Sequence, residues 1–320
     1  MLMNKIFVTG ASGFIGSNLC DSLLDIGYDV VGYDNLSSGF DEFLEKQKNN
    51  PRFSLIVGDI LDTDLLKKSM IGCDFVFHLS ANADIRFGLE NTNKDIQQNT
   101  IGTFNVIEAA RVAGIKGVAF SSTGSVYGEP RVFPTPEDAP FPIQTSLYAA
   151  SKLAGEGLLQ AYAEGFGIKA YIFRFVSILG ERYTHGHVFD FLKQLKKDPS
   201  NLSVLGDGKQ RKSYLYVKDC ISAMLMAIDK SNEKVNIFNL GCDHFCEVND
   251  SIGWICKHLG VSPKITYTSG NRGWVGDSPF IFLDTSRIRS LGWVPKLTIE
   301  DGVAATVRYL SSNTHLLEKR

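Results

Sequence analysis

A phenol and an ammonium group stand four residues apart in the segment Tyr148-Ala149-Ala150-Ser151-Lys152. On a helix, residues i and i+4 share a face, so Tyr148 and Lys152 would be neighbours there. A free phenol has a pKa of about 10 and is a weak base at neutral pH, but a nearby cation favours the phenolate. The spacing alone is also that of an ordinary solvated helix face. As a functional pair, it predicts a base that removes a proton from an alcohol or sugar hydroxyl.

Hydroxyl side chains follow a predicted strand upstream of that pair. The strand Gly117–Ser121 runs into residues 122–125, three of which are serine or threonine. The carboxyl ends of parallel strands face the ligand crevice of an α/β sheet. We therefore expect Thr123 to bridge a substrate hydroxyl and Tyr148. The predicted catalytic residues are Thr123, Tyr148 and Lys152.

The elements that must position these groups follow an alternating pattern in the first half of the chain. Strands separated by helices of this length form a parallel sheet whose two faces the helices cover. The predicted class is α/β, a Rossmann-type doubly wound parallel sheet. The predicted strands are Lys5–Thr9, Asp29–Tyr33, Phe53–Val57, Phe75–His78, Gly117–Ser121 and Lys169–Phe173, and the predicted helices lie near Phe14–Ile26, Leu61–Met70, Ile96–Ala113 and Leu147–Gly165.

The pattern loosens after Arg174, where loops rich in Gly, His and Arg become frequent. Lys218–Ile228 still has the pattern of a helix, and Asn236–Leu240 that of a buried strand. We therefore predict a cofactor-binding domain over residues 1–176, to which the chain returns near 218–240. The remaining residues, 177–320, are predicted to form mainly a smaller α+β lobe that binds the substrate.

A glycine turn joins the first predicted strand to the first predicted helix. The segment Thr9–Gly16 has glycines at positions 10, 13 and 16. Gly10 permits a tight turn, Gly13 lets backbone amides approach a pyrophosphate at the helix N-terminus, and Gly16 lets the helix pack closely on the strand. A glycine triplet alone is weak evidence. Its place between a strand and a helix is the context that a dinucleotide site requires.

Asp34 ends the second predicted strand, eighteen residues after Gly16. A carboxylate at this position accepts hydrogen bonds from the hydroxyls of an adenosine ribose and repels a 2′-phosphate. No arginine follows it in Asn35–Gly39, so the sequence predicts NAD rather than NADP. Asp59 follows the third strand at the same edge of the sheet, where it would contact the adenine.

With these features in order, the sequence resembles the extended short-chain dehydrogenase/reductase superfamily, and in particular the NAD-dependent nucleotide-sugar epimerases of the UDP-glucose 4-epimerase type. The resemblance covers nearly the whole chain. Beyond the glycine turn it rests on Tyr33–Leu36, Gly58–Ile60, His78–Asp84, Asn99–Thr103, Ser121–Gly128, Tyr148–Lys152, Arg174–Gly180, Gly206–Gly208 and Arg272–Asp277.

The resemblance implies two sets of binding residues. The cofactor-binding set is Gly10, Gly13, Phe14, Ile15, Gly16, Asp34, Asn35, Asp59, Ile60, Leu79, Ala81, Asn99, Ser121, Tyr148, Lys152 and Phe175. The substrate-binding set is Arg86, Thr123, Ser177, Lys212, Tyr214, Arg272 and Asp277. The basic members suit a nucleoside diphosphate, whose charge needs cations, although each is equally explained as an exposed surface charge.

Three positions depart from the resembled pattern. Lys212 stands where relatives often carry arginine, so a point charge replaces a two-pronged donor. Ser177 replaces a common asparagine near the sugar. Ile281 falls near a position where some relatives carry a bulky aromatic residue, and the smaller side chain leaves N-acetylhexosamine nucleotides open as substrates.

The reaction follows from the residues after the fifth strand. The related 4,6-dehydratases carry Thr-Asp-Glu there, and the two carboxyl groups supply the acid and base that eliminate water. This chain has Thr123-Gly124-Ser125 instead, so the resemblance favours epimerisation between UDP-glucose and UDP-galactose. Tyr148 would take the O4 proton while the C4 hydride passes to NAD, and the hydride would return to the other face of the 4-keto sugar.

Other activities remain open. They are a UDP-N-acetylhexosamine 4-epimerase, a 2-epimerase, a reductase or a decarboxylase of the same superfamily, and an NAD-sensing protein without enzymatic activity. A reductase would consume added cofactor. A sensing protein would have a broken catalytic set, whereas all three predicted catalytic residues are present.

Composition excludes several classes of protein. The chain has 320 residues, of which 44% are hydrophobic and 21% charged, close to the globular average. The net charge is −2 with no block of like charge, so we expect no nucleic-acid partner. No apolar run has the length of a membrane span and Met1–Val8 lacks a signal-peptide core, so we expect no membrane partner and a cytoplasmic protein. Cys242 and Cys246 lack a second ligand pair at zinc-site spacing, so we expect no metal.

The helices predicted near Ile96–Ala113 and Leu147–Gly165 carry apolar residues on more than one face. One face must cover the sheet. The other could pair with a second copy of the chain as a four-helix bundle, which is also the usual dimer of the resembled family. We therefore predict a homodimer.

Overall fold

The computed structural model describes residues 3–319 except 83–89, 142, 269, 271, 275 and 279. Within those residues the strands are Lys5–Thr9 (β1), Asp29–Asp34 (β2), Phe53–Val57 (β3), Phe75–His78 (β4), Gly117–Thr123 (β5), Lys169–Phe175 (β6), Ser177–Leu179 (β7), Asn201–Val204 (β8), Arg211–Lys212 (β9), Tyr214–Tyr216 (β10), Val235–Leu240 (β11), Cys246–Glu247 (β12), Lys264–Tyr267 (β13) and Phe280–Ile281 (β14).

The α-helices in the same residues are Phe14–Ile26 (α1), Glu45–Lys48 (α2), Thr63–Ser69 (α3), Thr92–Asp95 (α4), Gly102–Val112 (α5), Leu147–Phe166 (α6), His187–Lys197 (α7), Val217–Lys230 (α8), Val248–Leu259 (α9), Ser286–Ser290 (α10) and Ile299–Ser312 (α11). A π-helical segment, Ile96–Ile101, joins α4 to α5. Short 3-10 helices cover Asp41–Leu44, Gly124–Tyr127 and Thr314–Glu318. None of the described helices is long and apolar enough to cross a membrane.

Seven strands form one sheet in the order β11-β6-β5-β4-β1-β2-β3. The pairs β1–β2, β2–β3, β1–β4 and β4–β5 are parallel. The strand order reverses between β1 and β4, which is the arrangement of a doubly wound sheet. The predicted Rossmann-type α/β class is confirmed.

The central strands of the sheet are buried on both faces. All four residues of β4 and all seven of β5 are buried, as expected for strands covered by helices on either side. The core beside the sheet joins strand side chains such as Phe7, Val76 and Val118 to helix side chains such as Val106 and Leu159. This packing fixes the carboxyl ends of β1, β4 and β5, where the candidate site residues lie.

Local signals set the bounds of α6, which carries two predicted catalytic residues. The Ser146 side chain accepts a hydrogen bond from the Ala149 backbone N–H at 3.1 Å and so caps the helix N-terminus. At the other end Gly167 adopts a left-handed conformation with φ of 70°, which favours glycine. These bounds place Tyr148 in the first turn and Lys152 in the second.

The chain divides into two compact units. The first comprises Met1–Val126, Ser146–Arg174 and Met224–Phe238, and the second comprises Tyr127–Thr145, Phe175–Ala223 and Asn239–Arg320. The second unit contains the small sheets β10-β7, β12-β9-β14 and β13-β8 together with α7, α9, α10 and α11. The functions assigned to the two predicted domains stay predictions.

Candidate active site

The glycine turn of the first unit has the close contacts that its sequence predicts. The Gly10 backbone N–H donates to the Tyr33 carbonyl at 2.9 Å, and Gly10 has a φ of 70°. A Cβ on Gly16 would lie 1.9 Å from the Gly10 carbonyl oxygen, and a Cβ on Gly10 would lie 2.9 Å from the Ser80 backbone nitrogen. Neither position accepts a side chain, so α1 starts directly against β1. The first turn of α1, with Phe14 and Ile15, contains no acidic side chain, which leaves its N-terminus suited to an anion.

Asp34 lies at the end of β2 with its carboxylate turned towards this glycine turn. Its Oδ2 accepts from the Ser12 backbone N–H at 2.9 Å, and its Oδ1 accepts from the Leu36 backbone N–H at 2.8 Å. Burial raises the pKa of the Asp34 carboxyl, while these two hydrogen bonds oppose the rise. Each oxygen keeps further acceptor capacity for a ribose hydroxyl. The Ser12 hydroxyl is buried without a hydrogen-bond partner among the described residues, so the turn retains a free polar group. The residues present therefore fit the predicted dinucleotide.

The predicted cofactor-binding residues Asn35, Asp59 and Ile60 lie together beyond β2 and β3. Asn35 Nδ2 donates to Asp59 Oδ2 at 2.8 Å, and the Tyr33 hydroxyl donates to the Asp59 carbonyl at 2.8 Å. Ile60 is buried, and the Asn105 side chain donates to its carbonyl at 3.0 Å. The structure thus fixes both the backbone and the side chain of residue 59. The adenine contact itself stays a prediction.

His78 connects the end of β4 to its neighbours and was not among the predicted site residues. Its Nδ1 lies 2.8 Å from Thr9 Oγ1 and its Nε2 lies 2.9 Å from Thr103 Oγ1. Thr9 Oγ1 also accepts from the Leu79 backbone N–H at 3.1 Å, and Ser121 Oγ donates to the His78 carbonyl at 3.1 Å. The predicted cofactor residues Leu79, Ala81 and Ser121 therefore lie on or beside segments that His78 holds in place. Burial lowers the pKa of His78 to about 3, so its ring is neutral.

The three predicted catalytic residues come together in the first unit. Thr123 ends β5, and its side chain shares a hydrogen bond with Tyr148. Lys152 Nζ donates to the Ser121 carbonyl at 2.7 Å and lies 4.8 Å from the centre of the Phe120 ring. The ammonium is therefore fixed against the carboxyl end of β5, one helical turn from the phenol.

The pKa values of Tyr148 and Lys152 do not favour a phenolate beside an ammonium in the chain alone. Burial raises the pKa of Tyr148 to about 12, the negative charge of Asp95 adds to the rise, and the hydrogen bond with Thr123 opposes it. Burial lowers the pKa of Lys152 to about 7, although Glu156 and Asp95 act in the opposite direction. At neutral pH the phenol of the chain alone is protonated. Lowering its pKa to neutrality requires further positive charge, which the nicotinamide of the predicted NAD would add.

A buried ion pair next to Lys152 was not predicted from the sequence. Arg174 Nη2 lies 2.7 Å from Glu156 Oε2, and both side chains are almost fully buried. Ser122 Oγ also donates to the Glu156 carboxylate. The pair fastens β6 and the end of β5 to α6 and so supports the segment that carries Thr123. The only signal in the sequence was that Glu156 stands four residues after Lys152.

The second unit contains Lys212, Asp277 and Arg272 of the predicted substrate set. Lys212 Nζ donates to Asp277 Oδ1 at 2.7 Å and to the Ser278 carbonyl at 2.5 Å. Asp277 Oδ2 accepts from the Gly273 backbone N–H at 3.0 Å. Asp277 therefore organises its own turn and neutralises Lys212.

Arg272 reaches the same turn from an exposed position. It forms an ion pair with Glu129, and its Nη1 donates to the Asp277 carbonyl at 3.4 Å. About two fifths of the Arg272 side chain is exposed. The structure brings both predicted cations to the Asp277 turn, each with a carboxylate partner.

Tyr214 belongs to a buried polar cluster of the second unit that the sequence did not reveal. Its hydroxyl lies 3.3 Å from His187 Nδ1, and His187 Nε2 lies 2.7 Å from Ser251 Oγ. Burial lowers the pKa of His187 to about 3, and the charge of Lys212 adds to the fall. The tyrosine is thus held by a neutral imidazole. No sequence pattern indicates this cluster, because His187 and Ser251 are far apart along the chain.

The remaining predicted residues have simpler surroundings. Phe175 is buried at the end of β6, whereas Ser177 is exposed and pairs in register with Tyr214. Arg86 lies outside the described residues. The binding roles of these residues stay predictions.

The chain matches known proteins over nearly its whole length. The profile of the NAD dependent epimerase/dehydratase family matches residues 6–241. The UDP-glucose 4-epimerase of Mycolicibacterium smegmatis is 32% identical over 316 residues, which are 97% of this chain and 99% of the relative.

Two solved structures extend the comparison. A crystal structure of UDP-galactose 4-epimerase matches with a TM-score of 0.86 and 36% identity, covering 97% of this chain and 99% of that one. The UDP-glucuronic acid 4-epimerase of Bacillus cereus, crystallised with UDP-glucuronic acid and NAD, matches with a TM-score of 0.89 and 30% identity over the same shares.

Proposed function

The chain belongs to the NAD dependent epimerase/dehydratase family, and from this premise we propose that it is a nucleotide-sugar 4-epimerase that interconverts UDP-glucose and UDP-galactose. The NAD predicted from the glycine turn and Asp34 is the cofactor of this family. The observation that carries the proposal is the group formed by Thr123, Tyr148 and Lys152, which offers a hydroxyl-based proton acceptor, while the two residues after Thr123 are glycine and serine rather than carboxylic acids.

Tyr148 is the group that exchanges a proton with the sugar O4. Thr123 shares a hydrogen bond with it, and so aligns the phenol oxygen with a hydroxyl placed between them. Lys152 stabilises the phenolate by its charge, and its bond to the Ser121 carbonyl keeps the ammonium in position. When bound, NAD accepts the C4 hydride and returns it to the opposite face of the sugar. Because the hydride taken from C4 goes back to the same carbon, the cycle would consume no external reductant.

The residues after Thr123 support epimerisation over dehydration. Residues 124 and 125 are Gly and Ser, and the Ser125 backbone N–H donates to Thr123 Oγ1 at 3.1 Å. In the resembled dehydratases the same two positions are carboxylic acids that remove the C5 proton and protonate the leaving hydroxyl. Neither glycine nor serine does this at neutral pH, so the 4-keto sugar would keep its C6 hydroxyl and would be reduced again at C4, from the opposite face.

The cations of the second unit support a nucleoside diphosphate as the part of the substrate that they bind. Lys212 and Arg272 both lie at the Asp277 turn, where they are balanced by Asp277 and Glu129. A diphosphate bound there would compete with these carboxylates for charge-assisted hydrogen bonds. The choice of UDP-glucose and UDP-galactose follows the names of the similar proteins, and UDP-glucuronic acid is included in the test for the same reason.

The assembly that we propose is a homodimer formed through α5 and α6 with the π-helical segment. Large apolar side chains are exposed on these helices of the first unit, namely Ile96, Ile101, Phe104, Leu147 and Phe166. Their burial against a second copy would remove an apolar surface from water. Light scattering at micromolar concentration should give twice the monomer mass. A monomer mass would remove the dimer from the proposal.

The experiment is proton NMR of the purified protein with one UDP-sugar at a time and no added cofactor. The panel contains UDP-glucose, UDP-galactose, their N-acetyl counterparts and UDP-glucuronic acid. We expect the C4 epimer of UDP-glucose or UDP-galactose to appear with the wild type and to be almost absent with Tyr148→Phe. Turnover only of another sugar would change the substrate, and turnover only with added reduced cofactor would indicate a reductase instead.

A further inference from the structure

A buried carboxylate lies near the proposed catalytic group but has no part in the reaction described above. Asp95 is the last residue of α4 and is 1% exposed. It directly precedes the π-helical segment Ile96–Ile101, which contains Asn99. A single π-helical turn inside a helix changes which side chains share a face, and such turns are frequent at functional sites.

Asp95 anchors two amide side chains. Its Oδ1 accepts from Asn82 Nδ2 at 2.7 Å and from Asn99 Nδ2 at 3.3 Å. The Asn82 backbone N–H in turn donates to Asn99 Oδ1 at 2.8 Å. The oxygen of the Asn99 amide therefore faces a donor and its nitrogen faces acceptors, so its orientation is defined.

The same amide nitrogen continues into α6. Asn99 Nδ2 donates to Ser151 Oγ at 3.1 Å, and Ser151 Oγ donates to the Tyr148 carbonyl at 2.8 Å. Ser151 immediately precedes Lys152. An unbroken series of hydrogen bonds thus runs from the Asp95 carboxylate to the backbone of the helical turn that carries both Tyr148 and Lys152.

We propose that Asp95 is a positioning residue, whose buried carboxylate fixes the Asn99 amide against α6 and places a negative charge beside the turn that carries Tyr148 and Lys152. The proposal rests on the proposed function for the part that Lys152 plays in turnover. The charge of Asp95, together with that of Glu156, opposes the effect of burial, which lowers the pKa of Lys152.

Asp95 is one of the charged groups that change the pKa of Lys152. Within the described part of the chain, the carboxylates that act on Lys152 are Glu156 of α6 and Asp95 of α4, and the ring of His78 on β4 is coupled to the Lys152 charge. His78 is neutral, and Glu156 is paired with Arg174. Asp95 raises the pKa of Lys152 and also that of Tyr148.

Removing the negative charge of residue 95 must therefore lower the pKa of both groups. Asp95→Asn removes that charge and keeps a side-chain oxygen that can accept from Asn82 and Asn99. A neighbouring charge commonly changes a pKa by about one to three units, so we expect the Lys152 midpoint to fall by about one unit or more. The acidic limb and the basic limb of the pH profile of turnover should both move to lower pH. This holds whether a limb reports the titration of Lys152 or that of Tyr148.

The test is NMR titration of lysine ε-carbons in the NAD-bound protein, with the Lys152 signal assigned by its loss in Lys152→Met. The variants are Asp95→Asn and, as a second charge-free variant that keeps a hydroxyl acceptor, Asp95→Ser. Asp64→Asn is the matched control, because it removes an exposed carboxylate of the same unit. Circular dichroism establishes that each variant is folded.

We expect the titration midpoint of Lys152 to be lower in both Asp95 variants than in the wild type, and to be unchanged in Asp64→Asn. A midpoint unchanged in a folded Asp95 variant would overturn the proposal, and so would a Lys152 that stays protonated up to pH 10 in that variant. A loss of turnover at every pH with unmoved limbs would show a structural role only. The lysine signal is measured without a sugar substrate, so it decides the role of Asp95 even if no sugar of the panel is epimerised.

Discussion

Replacing Glu156 by glutamine should destabilise the first unit strongly, because it leaves the Arg174 guanidinium charged and buried without its anion. The two side chains are 0% and 2% exposed, and Arg174 Nε and Nη2 donate to the carboxylate at 3.0 and 2.7 Å. Glutamine keeps the shape of the side chain and one acceptor oxygen. The variant therefore tests the charge rather than the packing.

The expected loss is about 3–5 kcal/mol in the free energy of unfolding, since breaking one partner of a buried ion pair leaves the other uncompensated. Ser122 also loses an ionised acceptor, which adds to the cost. At about 2–4 °C per kcal/mol for a unit of this size, the melting temperature should fall by about 6–20 °C. Glu156→Leu/Arg174→Met, which removes both charges, should lose much less than the sum of the two single changes.

The assay is urea denaturation followed by circular dichroism, with Glu108→Gln as the matched control. Glu108 pairs with Arg111 on α5 in the same unit, but that pair is only partly buried. Its removal should cost less than about 1 kcal/mol. The reasoning fails if Glu156→Gln costs no more than the control variant, or if the double change costs the full sum.

Three further outcomes follow from the structure. Gly16→Ala should abolish NAD binding measured by calorimetry, because its Cβ would lie 1.9 Å from a backbone oxygen of the glycine turn; binding at wild-type affinity would contradict that packing. Lys212→Met should raise KM for the nucleotide sugar about tenfold or more with little change in kcat in steady-state kinetics, since a charged hydrogen bond is worth about 1.5–3 kcal/mol; an unchanged KM would remove Lys212 from the diphosphate. Acid should destabilise the fold, because His78 and His187 have a folded pKa of about 3 against an unfolded value of 6.5. Below pH 6.5 the unfolded chain therefore binds more protons than the folded chain. Denaturation at pH 5 should show a loss of about 1.6 kcal/mol per histidine in the free energy of unfolding relative to pH 6.5, and equal stability at the two pH values would refute this.

The sheet and the glycine turn were predictable because they depend on short-range patterns. Lys5–Thr9, Phe53–Val57 and Phe75–His78 have the predicted bounds, since short runs rich in β-branched and aromatic residues end there at turns. The strand predicted to end at Ser121 continues to Thr123, because hydroxyl residues at a strand end lack the contrast that marks a boundary. Asp34 was identifiable for the same short-range reason, as a carboxylate at the end of a strand.

The rest of the site depends on pairings between distant residues. Glu156 meets Arg174 from another element, and Asp95 acts through Asn99 and Ser151 across two helices. The periodic spacing of apolar residues along the chain does not indicate which polar side chains contact each other inside the fold. The π-helical segment was missed for a related reason: one wider turn hardly changes the helical pattern, although it changes which side chains share a face.

The measurement closest to the central claim is the fate of a deuterium label at C4 of UDP-glucose. Purified protein is incubated with the labelled sugar and no added cofactor, and the product is analysed by NMR and mass spectrometry. The account predicts UDP-galactose that keeps its deuterium at C4, because the hydride that leaves the sugar returns to the same carbon. UDP-galactose with ordinary hydrogen at C4, or product that forms only when cofactor is supplied in stoichiometric amount, would contradict it.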